Sequence, residues 1–156
     1  MQQATHIKTL GPVDSPTMRQ MLGLFGKAFE DLPSYAANQP DDAYLAELLA
    51  RETFVAIAAF AGATLVGGLA AYVLPKFEQA RAELYIYDLA VEESHRRRGI
   101  ATEMIGELKR LAASRRIYVI FVQADRDDEA AIRLYTKLGQ REDVIHFDIE
   151  PSARGA

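Results

Sequence analysis

Cysteine is absent from the 156-residue chain. Disulfides, thiolate nucleophiles and cysteine-based zinc sites are thereby excluded. Positive charge is also short: 18 Lys and Arg face 22 Asp and Glu, a formal net charge of −4. A nucleic-acid binder needs a broad basic face, so this balance suits a cationic or neutral partner better. Long hydrophobic runs are missing too. The most apolar stretch, 54–74, is broken at Ala61-Gly62 and Gly67-Gly68, so it reads as strands and no membrane span is expected. Residues Met1 to Leu10 lack a basic segment followed by an apolar run, which gives no signal peptide and a cytoplasmic location as the expectation. No linker, low-complexity tract or repeat divides the chain, and one domain over 1–156 is expected.

What is present reads as α+β. Thr5–Leu10 resembles a first strand, and Asp14-Ser15-Pro16 opens a helix through about Phe29, with Met18, Met21, Leu22 and Phe25 at helical spacing. Pro33 is expected to stop it. A second helix follows Pro40-Asp41-Asp42 and ends before Arg51. Thr53–Phe60 and Thr64–Leu74 read as strands about an Ala61-Gly62 hairpin turn, and Glu83–Val91 as a third long strand. Gly99–Ala113 has an apolar helical face, and Ile117–Val122 is a continuous apolar run suited to a buried parallel strand. Strand, helix and strand from Tyr85 to Val122 make a parallel βαβ core. A helix over Asp128–Leu138 and a last strand near Val144–Ile149 complete a mixed sheet flanked by helices.

The most informative segment joins the strand ending at Val91 to the helix starting near Gly99. It reads Arg96-Arg97-Arg98-Gly99-Ile100-Ala101-Thr102, with Arg, Gly and Ala at R-x-x-G-x-A spacing. A helix N-terminus offers unpaired N–H groups and a positive dipole end, which together hold anions. Gly99 lets backbone approach a ligand, and Ala101 keeps the first turn slim. A phosphate or pyrophosphate is the ligand implied. The spacing alone equally admits a solvated basic helix start with glycine for a tight turn. Neither G-x-x-x-x-G-K-[ST] nor G-x-G-x-x-G occurs, which disfavours a nucleotide-binding module.

Asp88-Leu89-Ala90-Val91, the R-x-x-G-x-A turn, and Ala131-Ile132-Arg133-Leu134-Tyr135-Thr136-Lys137-Leu138-Gly139 together resemble the GNAT acetyltransferase superfamily, in order and spacing. Tyr85 to Val91, Ala71 to Gln79 and His146 to Ile149 look most like the class I aminoglycoside 3-N-acetyltransferases, the gentamicin acetyltransferases. The likeness spans about Gln39 to Pro151.

That resemblance implies acetyl-CoA as co-substrate; His6, His95 and His146 show no metal-ligand spacing, and no metal is expected. Its pyrophosphate is expected on the backbone from Arg97 to Thr102, with Arg96 and Arg98 nearby, and its pantetheine along Leu89, Ala90 and Val91. The Val91 N–H is a further candidate, as an oxyanion contact. Two departures stand out: Asp128, where many members carry a cofactor-contacting Asn, and Gln140, where an aromatic often follows Gly139.

Acetyl transfer to an amine needs a neutral amine, a stabilised oxyanion and a proton for the departing thiolate. Without cysteine, direct attack in a ternary complex is the simplest route. No G-x-S-x-G elbow supports a serine intermediate. Tyr135, which helical spacing alone reads as a core tyrosine, becomes the candidate acid through the family motif. Asp88 is the candidate base. Strand alternation places it with Leu84 and Ile86 on an apolar face, where a carboxylate must face a cleft or find a partner; a bulge reverses that facing. A structural salt bridge is the plainer alternative.

An aminoglycoside is a polycationic sugar, so carboxylates and tyrosines are expected around it. Candidates are Glu78, Glu83, Tyr87, Asp143 and Asp148, joined by Glu150 and by Glu30, Asp31, Tyr35 and Asp42 of the N-terminal helical cover. The resemblance also implies a homodimer and a role in antibiotic resistance. Rival readings are a GNAT enzyme for another small amine or a peptide amine, and a non-catalytic acyl-CoA-binding module. Asp88 and Tyr135 together speak against a pure binder.

Overall fold

The computed structural model describes residues 3–152. By internal contacts the chain divides into one unit running to Gln123 and a second starting at Ala124.

The first unit is built on a five-stranded sheet in the order β1 (Thr5–Thr9), β2 (Phe54–Ala61), β3 (Thr64–Pro75), β4 (Ala82–Val91) and β5 (Ile117–Val122). The first three pairings are antiparallel, and β4 with β5 is parallel. A parallel pair requires a crossover, and α4 (Ile100–Ser114) supplies it. Before the sheet come α1 (Ser15–Ala28), the single turn α2 (Leu32–Tyr35) and α3 (Asp42–Ala50). The hairpin turn between β2 and β3 is where expected, with Gly62 at φ 60°.

Two adjacent glycines of β3 show that helices cover both faces. A Cβ on Gly67 would lie 3.2 Å from Met104 of α4, and one on Gly68 would lie 2.9 Å from Met21 of α1. Successive strand residues point to opposite faces, so α4 and α1 lie on opposite sides of the sheet. The α1 side buries Met18, Met21, Leu24, Phe25, Leu45 and Leu49 against Phe54, Ala56, Ala58, Ala70 and Ala90. Small residues on the strands let the large helical side chains come close. Gly68→Ala therefore overpacks this layer, since Phe25 also stands 3.2 Å from the new methyl. The expected cost is about 1–3 kcal/mol, read as a lower Tm in thermal denaturation.

α1 stops at Ala28, one residue short of the expected end, and Pro33 then sits in the first turn of α2, where its missing N–H costs nothing. Two sequence expectations need correction. The apolar run of β5 runs parallel to β4 as expected, but it is buried only at Ile117. It lies at the sheet edge, and Tyr118 and Val119 are exposed. The strand near Val144–Ile149 is absent: 140–152 has no regular structure, and Val144, Ile145, Phe147 and Ile149 are exposed. Alternation alone does not make a strand, because its backbone groups need a ladder partner.

The second unit contains α5 (Glu129–Leu138), capped by Asp128, whose carboxylate accepts the Ala131 N–H at 3.1 Å. Among the described residues, no helix is long and apolar enough to cross a membrane.

Candidate active site

The turn after β4 has the backbone geometry of an anion cradle. Gly99 caps α4 at φ 80°, and Arg97 stands at φ 62°. A left-handed conformation is uncommon for a side-chain-bearing residue, and such strain tends to collect at ligand sites. Nothing lies within 4 Å of a Cβ built on Gly99, so its glycine answers to conformation and open approach, not to crowding. The first helical bond of α4 runs from the Glu103 N–H to the Gly99 carbonyl at 2.9 Å. The amides of Ile100, Ala101 and Thr102 are thus left over by the helix at its positive end. Arg97 and Arg98 are exposed beside them. Arg96 instead turns back, its Nε donating to the Val91 carbonyl at 3.1 Å and tying the turn to the strand.

Just before this turn, β4 loses its parallel neighbour. The β4–β5 register ends at Ile86 opposite Val122. From 88 to 91, β4 pairs with β3 on one side, and no described strand pairs with its other edge. The Glu92 N–H donates to the Val66 carbonyl on β3 at 2.7 Å. Backbone amides alternate between strand edges, so the Val91 and Leu89 N–H groups point to the open edge. Leu89, Ala90 and Val91 thus lie where an extended chain can add as a strand.

Asp88 is on the other face from the one strand alternation indicates. Ala71 pairs with Ile86 and Ala70 with Asp88, so Tyr87 is an extra residue, a β-bulge. Leu84 and Ile86 remain fully buried, while Asp88 swings to the side of its partner Ala70, the α1 side. There the carboxylate is half-buried, and its Oδ1 accepts the Tyr35 hydroxyl of α2 at 2.9 Å. Among the described residues it makes no ion pair, so the salt-bridge alternative is not what is found. Burial pushes the Asp88 carboxyl above the usual carboxylate range, and the Tyr35 bond pulls the other way. A raised carboxyl is a stronger base than an exposed one.

Tyrosines surround it. The rings of Tyr72 and Tyr87 meet edge-on at 5.8 Å, and those of Tyr85 and Tyr87 at 5.6 Å. Tyr85 also stacks on Phe121 at 4.6 Å and donates its hydroxyl to Gln123 at 3.0 Å. Burial and then the negative charge of Asp88 hold the Tyr72 phenol above its usual range. A carboxylate set among tyrosine rings favours a cation.

The other expected residues are placed as follows. Glu83, at the start of β4, accepts the Tyr118 hydroxyl at 2.6 Å and stands 3.8 Å from Lys76. Glu78 pairs with Arg81 at 3.5 Å and Lys76 at 3.8 Å. Both carboxylates thus share Lys76 of the β3–β4 loop, five residues or more along the chain from Asp88. In the second unit, Asp143 pairs with Arg141 and Asp148 with His146. Burial and the Asp128 charge push the Tyr135 phenol up to about 12. Two tyrosines were missed as site residues: Tyr72, on the strand opposite, and Tyr44 of α3, which interacts electrostatically with Tyr72. Once the bulge is known, the register pairing of Tyr72 with Tyr85 identifies the first.

Residues 19–140 match the model of the acetyltransferase (GNAT) family. The chain belongs to that family. A solved aminoglycoside acetyltransferase from an uncultured soil metagenomic sample is 52% identical, with a TM-score of 0.94 over 96% of this chain and 99% of the other. A second such enzyme from an uncultured soil metagenomic sample, in complex with sisomicin, is 30% identical at TM-score 0.87, covering 95% and 97%. A 6′-type aminoglycoside N-acetyltransferase in complex with CoA shares the GNAT fold at 18% identity and TM-score 0.75, covering 97% and 98%. No curated protein sequence matches the chain. As a GNAT protein this chain is an acyltransferase, and the family uses acetyl-CoA. The left-handed Gly99, the unused amides after it and the open β4 edge fit such a co-substrate.

Proposed function

We propose that this GNAT enzyme transfers an acetyl group from acetyl-CoA to the 3-amino group of an aminoglycoside, and so confers resistance to it. The observation carrying this reading is the Asp88 carboxylate, unpaired by any cation among the described residues and set among tyrosines beside the open edge of β4. The complex of the 30% identical relative with sisomicin supports the substrate class. The 3-position rests on the sequence resemblance at Tyr85–Val91, 71–79 and 146–149.

Arg97 to Thr102 would hold the co-substrate's diphosphate, and Leu89 to Val91 its extended arm. When bound, acetyl-CoA would supply the acetyl group as a thioester, with coenzyme A as the thiol leaving group. Asp88 orients the acceptor ammonium and takes its proton, so that the nitrogen lone pair is free to form the new amide bond. The Val91 N–H, aimed at the open edge, stabilises the developing oxyanion. Tyr135 returns a proton to the sulfur, a role assigned by its family motif. Tyr135→Phe is expected to lower kcat about 10–100-fold with little change in KM for either substrate, measured by thiol release.

The reading is tested by thiol release from acetyl-CoA with a panel of aminoglycosides and polyamines, followed by NMR location of the acetyl group. Turnover confined to aminoglycosides, with acetylation at the 3-amino group, is expected. A product carrying acetyl elsewhere overturns the position, and turnover with polyamines or peptide amines alone overturns the substrate class.

A further inference from the structure

Resting on the reading of Asp88 as base, we infer that Tyr35 is a positioning residue for it: the α2 turn fixes one carboxylate oxygen so that the other faces the acceptor amine. Oδ1 takes the Tyr35 hydroxyl at 2.9 Å, and no described group bonds Oδ2. One oxygen is thereby committed and one left for chemistry.

The phenol is held from several directions. Its ring packs against Phe25 at 6.0 Å and Phe29 at 5.6 Å, and those two rings stack on each other at 5.6 Å. The Asp31 N–H donates to the Gly26 carbonyl at 2.8 Å, locking α2 onto the end of α1. The contact is close: a Cβ on Gly26 would stand 3.2 Å from Tyr35. Asp31 also caps α2 through the Ser34 N–H, and Gln39 donates to the Tyr35 carbonyl. A one-turn helix has little stability of its own, so these anchors set where the hydroxyl sits.

Among the described residues, no formal charge is paired with this carboxylate. The titratable groups coupled to the pair are Tyr72 from β3, Tyr85 and Tyr87 from β4, and Asp31 at the start of α2, with Tyr44 of α3 acting on Tyr72. The Tyr35 hydroxyl bond is therefore the main force favouring ionised Asp88 against its burial. Without it, the carboxyl holds its proton to higher pH.

The test uses the full chain and follows kcat/KM for an accepted aminoglycoside against pH. Tyr35→Phe keeps the ring and its packing but loses the donor. At the acid end kcat/KM is expected to fall about tenfold, with a smaller loss at the alkaline end. The acid limb moves to higher pH, and KM for acetyl-CoA is unchanged. Ile57→Val, a core change on the sheet face opposite Tyr35, should lower Tm and leave the limb in place. An unmoved limb in Tyr35→Phe, or an equal movement in Ile57→Val, overturns the inference. Near-normal turnover in Asp88→Asn removes the base reading and this inference with it. An inactive Asp88→Asn beside an unmoved Tyr35→Phe limb removes this inference alone.

Discussion

Asp88→Asn is expected to lower kcat by about two to four orders of magnitude, the usual contribution of a positioned general base. The amide oxygen still accepts the Tyr35 hydroxyl, so the local geometry survives while proton acceptance is lost. KM for acetyl-CoA should stay within about twofold, because an interaction made only in the transition state leaves ground-state binding alone. Stability gives an independent reading. Burial favours the protonated carboxyl in the folded chain. The stability owed to that carboxyl is complete below the unfolded value and declines as pH rises through the folded one. At neutral pH, ionised Asp88 is therefore a cost that Asn removes. The variant's Tm should equal or exceed wild type there, and the difference should close in acid. Wild-type turnover in Asp88→Asn, measured by thiol release, would take Asp88 out of the mechanism.

Gly99→Val should raise KM for acetyl-CoA about 10–100-fold, corresponding to roughly 1–3 kcal/mol of strain for a β-branched residue in the left-handed region. Nothing lies within 4 Å of a Cβ at this position. The loss therefore comes from turning the backbone out of φ 80° and scattering the amides of 100–102. Gly99→Ala should fall between wild type and Val. Calorimetric titration of each variant with acetyl-CoA checks this directly. Unchanged affinity would mean that the turn does not hold the co-substrate.

Much of this was legible in the residues. The α4 cradle follows from one glycine after three arginines at a strand-to-helix junction. Helix boundaries there agree within a residue, because Gly99 and the apolar face of α4 point to the same start. The reversal of Asp88 was not legible. Alternation assigns it to the face of Leu84 and Ile86, and only the pairing of β3 with β4 reveals Tyr87 as the extra residue. The sequence allows a bulge at this point but contains nothing that requires one. Tyr35 lies 53 residues from Asp88. No periodicity reports a contact of that kind, since it depends on how α2 docks on α1. Read locally, Pro33 is a helix breaker, yet it also suits a helix's first turn. The apolar residues of Ile117–Val122 and 144–149 carry strand composition, but composition does not say how many neighbours a strand will have.

The account rests on the turn after β4 gripping a diphosphate, and a crystal structure with coenzyme A tests it most directly. Diphosphate oxygens within hydrogen-bond distance of the amides between Arg97 and Thr102 are the predicted result. Coenzyme A bound with its diphosphate elsewhere on the chain would contradict it.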